Sequence, residues 1–169
     1  GARGGSEDDG AAGGDGSGGA TSTNPPGGDC STDPLSCDTN YVEDDWSPAE
    51  REQWTTGLTE LEQHINLMNM HCGTSITGTF AYETFRGRLE GAPFVSIMND
   101  AVFAVQQICL DSESSKSKVQ EKISTIVMVN ANGSRSHALG GGTLAVVLDA
   151  EQWPSEWSDA FRDWLGNAL

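Results

Sequence analysis

Nowhere in the chain do about 18 apolar residues follow one another, so no segment reads as a membrane-spanning helix. Basic side chains are scarce as well. Nine Lys and Arg stand against 25 Asp and Glu in 169 residues, a net charge of −16. Phosphate recognition needs clustered cations, and here only Lys116, Lys118 and Lys122 lie close together, which argues against nucleic acid as a partner. An anionic chain is also repelled by anionic lipid.

Aliphatic residues are almost missing from the first 46 positions. These hold 11 of the 21 glycines and ten acids, with Arg3 as their one base. Such a stretch cannot bury enough apolar surface to offset the roughly 1–2 kcal/mol per residue that ordering a backbone costs. Residues 1–46 therefore read as a disordered acidic tail, and residues 47–169, with 15 acids and eight bases, as a single domain.

Catalytic motifs are missing too. There is no G-x-S-x-G, and no G-K-[ST] follows Gly140 to Gly142, so that glycine run is not a phosphate loop. Ser115-Lys116-Ser117-Lys118 matches S-x-x-K, but its S-D-N and K-T-G companions do not occur, and the stretch reads as a solvated loop. The aspartate pairs lack the D-x-D-x-D-G spacing of a calcium loop. Asn132-Gly133-Ser134 is a glycosylation sequon, which matters only in a eukaryotic secretory pathway. No motif implies a cofactor.

The chain does have four cysteines, Cys30, Cys37, Cys72 and Cys109. In a small acidic protein an even number suits an oxidising compartment. The chain opens GARGGSEDDG without an initiator Met, which leads us to expect a processed amino terminus. The Gly-, Ser-, Asp- and Asn/Pro-rich composition of residues 1–46 resembles the spacer that follows the lipid-bearing cysteine in mature bacterial lipoproteins. Residue 1 is Gly, so the resemblance places that cysteine upstream. It implies an extracytoplasmic protein (secreted, periplasmic or surface-tethered) held to a membrane by an upstream lipid anchor.

Within the domain, SPAE at Ser47 to Glu50 is a capping box with Pro at the first helical position. The stripe Trp54, Leu58, Leu61, Ile65, Met68, Cys72 predicts a helix of about seven turns stopped by Gly73. Thr74 to Arg86 alternates as a strand, with Ile76, Phe80 and Tyr82 on one side, and Gly87 to Gly91 break it. From Pro93, the spacing of Phe94, Met98, Ala101, Val102, Val105, Ile108 and Cys109 predicts a second helix. Asp111 to Ser117 reads as a polar loop and Val119 to Val129 as a strand. Asn132-Gly133 signals a turn, and Ala138 to Asp149 forms the return strand, with Gly140 to Gly142 marking a bulge or a thin, close-packed segment. Both strands are apolar on both faces, which makes this hairpin central. Trp157, Ala160, Phe161, Trp164 and Leu165 predict a last helix from Pro154 to Leu169. The expected fold is α+β: a three-stranded, mostly antiparallel sheet covered by about three helices, in the order helix, strand, helix, strand, strand, helix.

The nearest approach to chemistry is NLMNMHCG, Asn66 to Gly73. His64, Met68, His71 and Cys72 fall at i, i+4, i+7 and i+8 of the first helix, a soft donor set suited to copper(I). Met68 and Cys72 are also the last two members of the apolar stripe, and core packing accounts for them without a metal. That is the reading adopted. Cys72 is then expected to pair with Cys109 at the end of the second helix, and Cys30 with Cys37, one of three possible connectivities. Cys72 makes a poor nucleophile, because neighbouring His71 points about 100° away and His64 lies two turns off. His137 reads as an exposed residue in a hairpin connection. The tryptophans read as core, with Trp46 and Trp153 closing helix entrances.

The functional expectation is a non-enzymatic, secreted or surface-tethered domain that binds a protein or small-molecule ligand. Its alternatives are a copper-binding protein using His64, Met68, His71 and Cys72, and an enzyme whose polar groups converge only in three dimensions.

Overall fold

The structure, a computed structural model, describes residues 30, 33–42, 46–86, 94–131, 137–149 and 155–169. Helix α1 (Pro48–Cys72) starts and stops where its local signals place it. The Glu50 amide donates to Ser47 Oγ (3.2 Å) and the Ser47 amide to Glu50 Oε1 (3.5 Å), completing the capping box. Gly73, at φ 66°, closes the helix by donating to the Asn69 carbonyl (2.8 Å). Trp54, Gly57, Leu61, Ile65, Met68 and Cys72 are buried along one face.

Strand β1 (Thr77–Phe80) is shorter than expected, because Tyr82–Phe85 winds into a 3-10 turn. Helix α2 (Phe94–Asp111) follows, then a helix that the sequence did not announce, α3 (Glu113–Lys122). The expected loop and strand start are replaced here because Ser112 caps the Ser115 amide (3.0 Å). Glu113 and Lys122 suit the two ends of the helix dipole. The remaining elements are β2 (Thr125–Asn130), β3 (Ala138–Gly140), β4 (Thr143–Leu148) and α4 (Trp157–Ala168). The expected start of α4 at Pro154 lies outside the described residues, as do the turn at Asn132-Gly133 and the break from Gly87 to Gly91. Among the described residues no helix is long and apolar enough to cross a membrane.

The α+β class holds, but the sheet differs from expectation. Among the described residues it has four strands in the order β1-β2-β4-β3. β2 is parallel to both β1 and β4, and only β3 and β4 run antiparallel. Residues Val119 to Val129 and Ala138 to Asp149 are therefore not two arms of one hairpin. Their apolar character on both faces is what parallel strands covered on both sides require. Nor is the glycine run a bulge. Gly141 (φ 60°) and Gly142 (φ 84°) form the two-residue turn between β3 and β4, and both need the left-handed conformation that glycine adopts without strain.

Alternation along the strands sends Ile126, Met128, Leu144, Val146 and Leu148 to the helices, where they join the main core. Val127, Val129, Ala145 and Val147 point to the opposite face and pack there with Cys30 and Cys37. The packed body therefore starts earlier than residue 47: Cys30 and Pro34 are buried, and Tyr41 lies 4.8 Å from the Tyr82 ring. The reason is that the second sheet face needs a cover, and this segment provides it. Residues 1–29 lie outside the described residues.

α1 crosses β1 closely at Gly78, where a Cβ would stand 2.1 Å from Ile65 Cδ1 and 3.3 Å from Leu61 Cδ2. Replacing Gly78 by Ala overpacks this contact, so Gly78→Ala should lower the urea unfolding free energy by about 1–3 kcal/mol with an unchanged slope.

Candidate functional site

The four donors on α1 do not come together. Met68 is fully buried in the core and Cys72 is bonded to Cys109, while His64 and His71 face outward. His64 Nε2 lies 3.7 Å from Glu60 Oε1, one turn earlier on the helix surface. Among the described residues no three His, Cys, Asp or Glu side chains gather closely enough to hold a metal ion. With its sulfur in a bridge, Cys72 offers neither a thiolate ligand nor a nucleophile.

The bridges are Cys30–Cys37 and Cys72–Cys109, with Cα separations of 5.0 and 5.3 Å. The second joins the last residue of α1 to α2 near its end. Gln120 Nε2 of α3 donates to the Cys72 carbonyl (2.8 Å), so three helices meet at this point.

The carboxyl end of the parallel strands, a common location for ligand sites in sheets of this kind, holds two buried polar residues, Asn130 and Asp149. Asn130 serves the architecture. Its amide donates to Thr84 Oγ1 (3.0 Å) and its Nδ2 to the Thr84 carbonyl (3.0 Å), which fastens the 3-10 turn to β2. His137, expected to be exposed, is half-buried. Its Nδ1 accepts the Val147 amide of β4 (3.0 Å), and its ring lies 4.8 to 5.9 Å from those of Phe161, Trp164 and Trp157. That bond requires a bare Nδ1, and it satisfies a β4 amide beyond the reach of the short β3 ladder. Sequence reasoning missed this role, since the partners stand ten to 27 residues away and no local pattern links them.

A second aromatic cluster joins Trp46, Trp54, Phe80, Tyr82 and Phe85, with the Arg86 guanidinium 4.4 Å over the Trp46 ring. Trp46 closes the entrance of α1 as expected. Burial pushes the Tyr82 hydroxyl above the usual tyrosine range, partly offset by its hydrogen bond with Thr79.

Two features face solvent. An open depression of about 420 Å³ lies between the ends of α2 and α4 and the first turn of α3. Asp111, Asp163 and Arg162 line it with charges of both signs, together with Ser115, now a helical residue bonded to Ser112 and not part of a loop. The other feature is apolar. Seven large apolar side chains are exposed among the described residues, and four of them lie on the outer sides of α1 and α2: Leu67 (45%), Met70 (78%), Phe103 (54%) and Leu110 (53%). Trp54 on α1 is buried by contrast, and contiguous exposed apolar groups are the kind of surface that contacts other molecules. Compared with known proteins, the chain matches no family model, no curated protein and no solved structure.

Two predictions follow from this geometry. The Cys72–Cys109 bridge spans 37 positions, so replacing both cysteines by Ser should cost about 3–4 kcal/mol of stability in denaturant unfolding on the chain-entropy view. Asp100 on α2 has its carboxyl raised above the ordinary range by burial. A raised carboxyl binds its proton more tightly in the folded state, so folding loses stability as pH rises through that raised value. Asp100→Asn should therefore melt at a higher temperature than the parent at neutral pH, with the difference vanishing below the ordinary Asp range.

Proposed function

We propose that the chain is a non-enzymatic extracytoplasmic binding domain, tethered through its acidic N-terminal segment. The observation that carries this reading is the apolar outer surface of the α1/α2 pair, formed by side chains that the fold itself does not use. Of the polar groups at the carboxyl end of the sheet, Asn130, Thr84 and His137 are committed to holding backbone. Both bridges support an oxidising compartment. The tether is supported by the Gly- and Asp-rich composition of residues 1–29, which precede the packed segment, and by its resemblance to lipoprotein spacers. The copper reading loses its thiolate to the Cys72–Cys109 bond and is not retained.

The test is to fractionate cells that make the protein and alkylate its thiols before and after reduction, reading the intact mass. The expected result is recovery outside the cytoplasm with no thiol reactive before reduction and four reactive after it. Recovery from the cytosol with free thiols overturns the proposal.

A further inference from the structure

The binding-domain reading leaves open what the α1/α2 surface takes, and its charge pattern narrows the choice. The two helices run in the same direction. α1 enters β1 through residues 73–76 and so lies antiparallel to it, α2 leaves from the far end of β1, and the bridge joins the C-terminal ends of both helices. Leu67 and Met70 precede Cys72 by five and two positions, and Phe103 and Leu110 lie six before and one after Cys109. At about 1.5 Å of rise per residue, all four stand within about 9 Å of the bridge along the helix axes. The exposed apolar groups of the two helices are thus level with one another. On α2, Phe103 and Leu110 are seven residues apart and share one stripe.

The two helices that carry these groups are anionic, with Arg162 of α4 the one arginine lining the depression beside Asp111. α1 beyond Arg51, and the whole of α2, contain no Lys or Arg, while Glu60, Glu62, Asp100 and Asp111 are all present. Asp100 precedes Phe103 by three residues and so neighbours it on the helix surface. All three lysines of the chain are on α3, past the bridge, with Lys116 beside Gly73. A second copy of the chain would bring like charges together, and an anionic membrane would be repelled.

We infer that the outer surface of α1 and α2 docks a basic amphipathic helical segment of a partner protein, whose apolar side chains meet Leu67, Met70, Phe103 and Leu110 and whose Lys or Arg face Glu60, Asp100 and Asp111. This inference rests on the binding-domain reading.

The probe is an 18-residue peptide with Leu on one helical face and Lys on the other, labelled for fluorescence anisotropy and titrated with the full chain. A Leu/Glu peptide of the same pattern serves as control. The Leu/Lys peptide should bind, the Leu/Glu peptide should not, and rising salt should weaken the complex. The double variant Phe103→Ser, Leu110→Ser should weaken binding roughly tenfold or more, while Val42→Ser, an exposed apolar position away from the helices, should leave it unchanged. Both variants alter exposed positions, and an unchanged melting temperature shows that each is folded. Binding that survives the double variant overturns the docking site, because the peptide is then held by charge elsewhere. Sedimentation as a dimer that Phe103→Ser dissociates assigns the surface to a second copy, and Phe103-dependent binding to phosphatidylglycerol vesicles assigns it to a membrane; either result overturns the inference. None of these outcomes touches the compartment and thiol measurements, which judge the broader reading separately.

Discussion

A sheet whose parallel strands carry apolar side chains on both faces must be covered twice, and among the described residues the α-helices cover one face only. The need is set by β2 and β4, whose successive residues send Met128, Val146 and Leu148 one way and Val127, Val129 and Val147 the other. Helices bury the first set. The second is sealed by a short segment closed by the Cys30–Cys37 bridge, with Pro34 buried in its turn. A segment of this size has few apolar groups to hold it in place, and the covalent link limits the freedom it would otherwise gain by leaving.

The helical layer answers to the same sheet. α1 can lie close on β1 because Gly78 presents no side chain to Leu61 and Ile65. Its end is then fixed three ways: by Gly73, by the bond to Cys109, and by Asn69, whose Oδ1 accepts the Ile76 amide (3.0 Å) and whose Nδ2 donates to the Ile76 carbonyl (2.9 Å). With the inner side of the helix pair so constrained, the exposed groups opposite it are presented on a rigid support.

What could be read from the sequence was what local chemistry decides. The limits of α1 follow from a capping box and a left-handed glycine, and the cores of α2 and α4 from their apolar spacing. The pairing of Cys72 with Cys109 was legible because two predicted helices end at those residues. α3 was not, since it buries Val119 alone and so carries no stripe, and its cap, Ser112, sits in a run that reads equally well as a loop. Strand pairing is a non-local property: apolar residues on both faces fit a central hairpin as well as parallel neighbours, and a glycine run that suggests a bulge instead ends β3 at Gly140 and turns the chain at Gly141 and Gly142. The soft-donor set was legible as a pattern, but the bridge and the core had prior claim on two of its four members. The exposed surface of α1 and α2 has no signature in sequence, where Leu67, Met70, Phe103 and Leu110 look like any other apolar residues; only the packing shows which ones the core leaves out.

The bridge at Cys30 also decides how the domain bears a mechanical load. If the chain is pulled from its N-terminal side, force entering at Cys30 passes through the sulfur atoms to Cys37, so the turn at Pro34–Ser36 lies off the load path. The stress next meets Tyr41, which stacks on Trp46 and lies tilted against Tyr82, and then the capped start of α1. The strands are not peeled one by one from an edge. A domain held in this way can be strained at its attachment while the helices on the far side of the sheet keep their positions.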